Sequence, residues 1–96
     1  MSTSSDIQVI HQPDEGRFVA WVDDQACEAS YRLEGRTMVM HHTGVPRSLE
    51  GRGIAAALVK AALAHARAHG LKVRPVCSYV RVYMQRHTDT HDLLAR

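Results

Sequence analysis

The order of β-prone and helical segments is the feature that most constrains the fold of this chain. The first half carries four short segments typical of strands, over 7–10, 17–22, 27–33 and 37–43, and the second half alternates helix, strand and helix. Four antiparallel strands followed by a helix, a fifth strand and a second helix predict an α+β fold. We expect the fifth strand to lie parallel to its neighbour through a right-handed crossover.

The early strands are predicted from alternation and from turn residues. Segment 27–33 is the clearest, because apolar and polar residues alternate along it. The residues predicted to share its buried face are Cys27, Ala29, Tyr31 and Leu33. HQPDEG, residues 11–16, separates the first two segments and is typical of a hairpin turn. The more apolar segment 37–43 is predicted to lie nearer the centre of the sheet.

The second half contains the strongest helix prediction, over 52–69. This segment is rich in alanine and leucine, and Gly70 is typical of a helix end. LKVRPVC, residues 71–77, alternates as a fifth strand, and Pro75 predicts that one side of it is unpaired or splayed. A second helix is predicted over 78–87, followed by a short helical segment in DTHDLLA.

Length and composition limit the classes of protein that the chain can be. A chain of 96 residues accommodates one small domain, predicted over 1–96, with residues 1–5 disordered. Hydrophobic residues make up 45% and charged residues 23%, a balance that excludes wholesale disorder. The sequence offers no apolar run of about 18 residues and no signal-peptide pattern at its start, so a cytoplasmic protein without a membrane partner is expected.

The stretch EGRGIAAAL, residues 50–58, places two glycines directly before a predicted helix. The first N–H groups of a helix have no intrahelical partner, and the helix dipole favours an anion there. Gly51 and Gly53 would let phosphate oxygens approach the backbone, and Arg47 and Arg52 could add charge-assisted contacts. The alternative is that the glycines only shape a turn, and their spacing alone leaves both interpretations open. Neither a Walker loop nor the full dinucleotide fingerprint is present.

With its flanks, this stretch resembles a known family. EGRGIA is similar to the coenzyme A loop of the GNAT acetyltransferases, and HHTGVP before it and VRPVCSYV after it resemble the small single-domain GNAT-like N-acetyltransferases. The resemblance implies a mostly antiparallel mixed sheet of about five strands, with a central helix after the fourth strand and a C-terminal helix. It implies acetyl-CoA as co-substrate and an amine as acceptor, which could be a small amine, a peptide or a protein. The residues implied for coenzyme binding are Val45 along the pantetheine arm and Arg52, Gly53, Ile54 and Ala55 at the pyrophosphate.

Two positions depart from the family pattern. Glu50 stands where the superfamily prefers glutamine or arginine, so its side chain is expected to turn to solvent or to pair with an arginine. Gly44 stands where many relatives carry glutamate, so that general base is missing. Two hypotheses follow, an acetyl-CoA-dependent N-acetyltransferase and, as the alternative, a non-catalytic coenzyme A-binding or protein-interaction module.

Three residues are candidates for chemistry. His42 can accept a proton from an amine, directly or through water. The alternative is a structural histidine whose hydrogen bonds are all made within the sheet. Cys77 precedes a helix whose dipole favours the thiolate, so it could carry the acetyl group covalently. The alternative is a small buried residue with a role in packing alone. The resemblance implies that Tyr79 protonates the departing thiolate, and its alternative is a place in the core.

Other functions have little support in the sequence. His65 and His69, like His87 and His91, stand four residues apart without the glutamate of a zinc protease, so we expect solvated helix faces and no metal. Cys27 and Cys77 are predicted not to form a disulfide. The net charge of +2 gives no basic stripe, and Phe18 and Trp21 are predicted as one core ring and one partly exposed ring, so nucleic-acid binding is not expected. An exposed hairpin edge would permit a homodimer.

Overall fold

The computed structural model describes residues 7–95, so the disorder predicted for residues 1–5 lies outside the described residues. The strands are β1 (Ile10–Gln12), β2 (Arg17–Val22), β3 (Gln25–Glu34), β4 (Thr37–Gly44) and β5 (Lys72–Pro75). The α-helices are α1 (Ile54–Ala68) and α2 (Ser78–Arg86). Short 3-10 helices cover Pro13–Glu15, Arg47–Leu49 and Thr88–Leu93.

The strands form one sheet in chain order, from β1 to β5. Neighbours from β1 to β4 are antiparallel, and β5 is parallel to β4. Helix α1 makes the connection between these parallel strands. The predicted α+β arrangement is therefore confirmed, and β5 is the last strand of the sheet, although Val73 on its outer side forms an isolated bridge with Leu94.

The first hairpin differs from its prediction, because β1 covers Ile10–Gln12 and not 7–10. His11 pairs with Phe18 in the strand register, and the two rings stack with centroids 4.2 Å apart, which extends the pairing towards the turn. Gly16 closes this turn at φ +65°, and a Cβ there would lie 2.7 Å from the carbonyl oxygen of Tyr31. Both the backbone angle and the close approach require glycine.

One face of the sheet, here called the inner face, carries both helices. Its buried residues form a single cluster with those of α1 and α2, including Ala62 and Ala66, whose small side chains let α1 pack closely. The strand residues in the cluster are Phe18, Ala20, Cys27, Ala29, Tyr31, Met38, Met40 and Val73. Leu33, predicted to share this face, is 56% exposed because it lies beside the turn between β3 and β4. Trp21 is 59% exposed whereas Phe18 is buried, which confirms the predicted contrast between these rings.

The opposite face, here called the outer face, carries Arg17, Val19, Glu28, Arg32 and His42. Glu28 lies between Cys27 and Ala29, which both point to the core, so its side chain points away from α1 and α2. No helix within residues 7–95 has the length and apolar content needed to cross a bilayer.

A β-bulge in β4 decides which residues reach each face. Ser30 lies opposite His42, but the next pair is Tyr31 with Met40, so His41 is an extra residue in β4. Met40 belongs to the core cluster, and strict alternation would place His42 on the same face. The extra residue instead turns His42 to the outer face and Thr43 to the inner face.

Candidate functional site

The loop between β4 and α1 is anchored at one point and open elsewhere. Leu49, the last residue of the 3-10 helix after Pro46, is 2% exposed and packs into the core. Gly51 and Gly53 follow at φ +84° and +78°, in the left-handed region that favours glycine. A Cβ on either glycine would meet no atom within 4 Å. Glycine is therefore required at these positions by the backbone conformation and not by close packing. The space above the loop is accessible to a ligand.

Helix α1 begins without a side-chain cap. Its N-cap residue is Gly53, which makes no capping hydrogen bond through a side chain, and its first turn contains no acidic residue. The first intrahelical hydrogen bond runs from the N–H of Ala57 to the carbonyl of Gly53. The N–H groups of Ile54, Ala55 and Ala56 come before it and have no acceptor within the helix. These amides and the positive end of the helix dipole form a donor set suited to an anion.

A cavity of about 530 Å³ opens between the end of β4 and the start of α1. It brings together Val45, Gly53, Ile54 and Ala55 from the predicted coenzyme site, and Tyr79 from α2. Thr43 and Gly44 form its wall on the β4 side, and Glu50 lines it while remaining exposed to solvent. The dimensions suit an extended small molecule lying along the strand end with its charged part over the helix N-terminus.

A second cavity, of about 490 Å³, adjoins the first and lies between α1 and α2. The two cavities share Gly53, Ala56 and Tyr79. Basic side chains dominate the polar lining of the second cavity, namely Arg52, Lys60 and Arg86. A ligand longer than the first cavity would thus meet positive charge as it continues past Gly53.

Arg52 is placed differently from the other predicted coenzyme residues. It lines the second cavity and not the first, and its guanidinium Nη1 lies 3.0 Å from the Asp23 carboxylate. Asp23 belongs to the two-residue turn between β2 and β3, where Asp23 and Asp24 adopt φ +51° and +63°. This ion pair ties the glycine loop to the hairpin and partly neutralises an arginine beside the site.

Cys77 is the N-cap residue of α2, and its sulfur lies 3.6 Å from Oγ1 of Thr43. Burial alone would raise the pKa of this thiol. The net effect is a lowered pKa, because hydrogen bonding to the sulfur favours the thiolate more strongly. The groups responsible include the backbone N–H of Val80, the Thr43 hydroxyl and the backbone N–H of Tyr79. Cys27 is fully buried, and burial raises the pKa of its thiol. Both cysteines are free, as predicted, and Cys77 is the one with thiolate character near the cavity wall.

Tyr79 lines both cavities and is 39% exposed. Partial burial raises the pKa of its phenol, against a smaller opposing effect of Arg86. The hydroxyl is protonated at neutral pH, as in any tyrosine, so it can donate a proton, although the raised pKa makes it a weaker acid.

His42 lies on the outer face, away from the cavity linings, yet next to Gly44. Its Nε2 atom is 3.9 Å from Oε2 of Glu28, and Nη1 of Arg17 is 3.1 Å from the other carboxylate oxygen of Glu28. Sequence reasoning did not identify Glu28 as part of this site. The only signal was its alternating position, and the register that sets it opposite Gly44 is a property of the folded sheet.

The sequence predicts that the two histidine pairs lie on solvated helix faces. Within residues 7–95 no group of three or more potential ligands is arranged to hold a metal ion. The prediction of a solvated face at His65 is wrong, because its ring packs 4.4 Å from that of His11 and 4.2 Å from that of His69. The rings of His11 and His65 also contact Phe18 and are half-buried, whereas His69 is exposed.

The arrangement of strand end, glycine loop and helix matches a known family. Residues 17–93 match the family model described as GCN5-related N-acetyl-transferase. The chain belongs to this family. It is 32% identical to Protein NATD1 of Xenopus tropicalis over 88 residues, which is 88% of this chain and 81% of that protein. A solution NMR structure of a GCN5-like candidate N-acetyltransferase from Staphylococcus aureus aligns with a TM-score of 0.75 and 26% identity, covering 95% of this chain and 90% of that one.

Membership of the GCN5-related family confirms the predicted fold and the predicted enzyme class, an N-acetyltransferase. In this acetyltransferase the fold collects most of the predicted coenzyme residues around one cavity, with Tyr79 at its junction with the second. His42 lies on the outer face of β4 beside Glu28, whereas the sulfur of Cys77 contacts Thr43 in the wall of that cavity. The two candidates therefore stand for two different routes of transfer.

Proposed function

We propose that the protein transfers an acetyl group from acetyl-CoA to an amine. The observation that carries this proposal is the uncapped start of α1 behind Gly53, which opens onto two adjoining cavities. Acetyl-CoA, when bound, supplies the acetyl group as a thioester. The amides of Gly53, Ile54 and Ala55 would hold its pyrophosphate, and Val45 would pack along the pantetheine arm.

The second cavity extends this assignment to the nucleotide end of the coenzyme. Lys60 and Arg86 offer positive charge for a phosphate, with Arg52 available once its pair with Asp23 opens. Tyr83 lines the same cavity and stacks against His87 with ring centroids 4.0 Å apart, which gives a flat surface suited to a base. The lining thus agrees with a ligand that is anionic and aromatic.

Direct transfer to the amine is the leading route in this proposal. His42 takes a proton from the amine, and Tyr79 gives one to the departing sulfur. The alternative route uses the Cys77 thiolate, which would accept the acetyl group on sulfur and pass it to the amine in a second step. The lowered pKa of Cys77 supports that alternative, and the position of Tyr79 in the lining of both cavities supports its role in either route.

Isothermal titration with acetyl-CoA tests the proposal, using the normal protein and a Gly53→Asp variant. Aspartate at this position adds strain at φ +78° and a negative charge above the loop, so binding is expected to weaken by 100-fold or more, on the order of 3 kcal/mol. Gly35→Asp is the matched control, because Gly35 has φ +61° and equally open surroundings but lies in the turn before β4.

Binding that is equal in the two variants, or absent from the normal protein, would contradict the proposal. Intact-mass measurement after incubation with acetyl-CoA separates the routes, since an added acetyl mass that is lost in Cys77→Ala selects the covalent one. A protein that binds acetyl-CoA and coenzyme A alike and acetylates no amine would be a non-catalytic binding module. A cytoplasmic location and a homodimer stay predictions from the sequence.

A further inference from the structure

Glu28 and His42 form a pair of polar groups on the outer face of the sheet, directly beside the cavity wall. The register sets Glu28 opposite Gly44, and a Cβ at residue 44 would lie 3.1 Å from Nε2 of His42 and 3.8 Å from Cγ of Glu28. The space that a side chain at 44 would fill is therefore bordered by these two side chains. Gly44 itself lines the cavity proposed for the coenzyme, so this space adjoins that cavity.

The carboxylate of Glu28 is divided between two partners. Its Oε1 accepts a hydrogen bond from Nη1 of Arg17 at 3.1 Å, and Arg17 is in turn held by Oε1 of Gln12, which accepts from its Nε at 2.7 Å. The other oxygen, Oε2, faces Nε2 of His42 across 3.9 Å. Arg17 thus fixes the orientation of the carboxylate and leaves one oxygen directed at the imidazole.

The gap of 3.9 Å is too long for a direct hydrogen bond and suits one bridging atom. A nitrogen about 2.9 Å from both atoms fits between them. An alkylammonium group has several N–H donors and a positive charge, so it can donate to the carboxylate and to the imidazole together. The side chains of Glu28 and His42 remain 31% and 56% exposed, so the gap is open to an incoming amine.

We propose that Glu28 and His42 bind the acceptor between them, on the outer face above Gly44, and that the acceptor is a protonated alkylamine such as a lysine side chain. This inference rests on the proposed acetyl transfer. It assigns to Glu28 the binding of the ammonium charge and to His42 the removal of a proton. It also gives the glycine at 44 a role, because a side chain there would occupy the amine's position.

The protons and bonds of the reaction balance with these assignments. An alkylammonium loses two protons in becoming an amide, while one C–N bond forms and one C–S bond breaks. The first proton passes to Nε2 of His42, in the tautomer that carries its hydrogen on Nδ1, and then to solvent. Tyr79 gives its own proton to the departing thiolate sulfur, and the second proton of the ammonium then restores the Tyr79 hydroxyl.

The test uses the full protein with coenzyme A bound and two matched probes. Nα-acetyl-lysine amide carries the ammonium group, and Nα-acetyl-norleucine amide lacks it. In histidine side-chain ¹H–¹⁵N spectra, the resonance of His42, assigned with His42→Gln, is expected to shift with the lysine probe and not with the norleucine probe. The shift is expected to disappear in Glu28→Gln and to persist in Glu34→Gln, which removes a carboxylate paired with Arg32 and Arg74 at the other end of β3.

Kinetics give the second readout. With acetyl-CoA and the lysine probe, Glu28→Gln is expected to lower kcat/KM by about 10- to 100-fold, mainly through the KM of the amine, at unchanged acetyl-CoA affinity. An unmoved His42 resonance, an equal response to both probes, or a Glu28→Gln variant with normal kcat/KM would overturn the inference. Any of these three outcomes would overturn the inference alone, because none of them bears on the binding of acetyl-CoA. If the normal protein does not bind acetyl-CoA, the proposed function and this inference are overturned together.

Discussion

The imidazole of His42 occupies the space beside Gly44 so closely that a Cβ at residue 44 would lie 3.1 Å from Nε2. Gly44→Ala should therefore displace the ring, and because the backbone at 44 is not in the left-handed region, the fold should tolerate the change. We expect amine acetylation to fall by about 10-fold or more, since small displacements of reacting groups have large effects on rate. Unchanged turnover with an unchanged melting temperature would contradict the proposed position of the amine.

Asp23 pairs with Arg52, the arginine proposed for a coenzyme phosphate, and would compete with that phosphate. Asp23→Asn removes the carboxylate 3.0 Å from the guanidinium and leaves Arg52 available to the second cavity. Exposed ion pairs contribute about 0–1 kcal/mol, so the affinity for acetyl-CoA should rise by up to about fivefold at low salt. Asp24→Asn in the same turn is the control. Equal effects of the two variants in a calorimetric titration would indicate a general change of charge and not the release of Arg52.

The thiol of Cys77 should react at lower pH than an ordinary cysteine. Its pKa is lowered from 9.0, so the thiolate fraction at a given pH is larger than in an unfolded peptide. The rate of iodoacetamide alkylation against pH should have its midpoint below 9.0, and Thr43→Val should move the midpoint upwards because it removes one of the groups that lower the pKa. Cys77→Ala identifies the labelled site. A midpoint unaffected by Thr43→Val would contradict the assigned contact.

The packed histidines should make the fold sensitive to acid. Burial, and then the charge of neighbouring histidines, lowers the pKa of His11 and of His65 below 6.5. The unfolded chain therefore binds more protons than the folded protein as the pH falls through this range, so the free energy of unfolding should decrease below about pH 6.5. Urea unfolding at pH 7.5 and pH 5.5 measures the difference.

His65→Phe should reduce this pH dependence, because it keeps a ring against Phe18 and removes a titrating group. His41→Gln is the control, since His41 is exposed at the bulge. A pH dependence that is the same in both variants would show that the acid sensitivity arises elsewhere in the protein.

Much of the proposed coenzyme site follows from local sequence. Gly53 followed by an alanine-rich segment predicts a helix that begins without a side-chain cap. This prediction needs only residues that are neighbours in the chain. The alternation of 27–33 likewise predicts the burial of Cys27, Ala29 and Tyr31, because neighbouring residues in a strand point to opposite faces. The exposed Leu33 marks the limit of such reasoning, since alternation does not reveal where the covering helix ends.

Other features depended on contacts between residues that are distant in the chain. Arg52 looks like a phosphate ligand in the sequence, but the turn at Asp23 brings a carboxylate to it from 29 positions away. His65 looks like part of a solvated helix face, but β1 brings the ring of His11 against it. Such pairings follow from the register of the hairpins, which no single segment encodes.

The sequence by itself determined the order of strands and helices, the helix start behind the glycine loop and the family to which the chain belongs. These features follow from local periodicity and from motifs that are contiguous in the chain. Only the tertiary structure decided where His42 points. The bulge at His41 depends on how β4 pairs with β3, and that pairing turns His42 to the outer face, beside Glu28 and away from the core side of Met40.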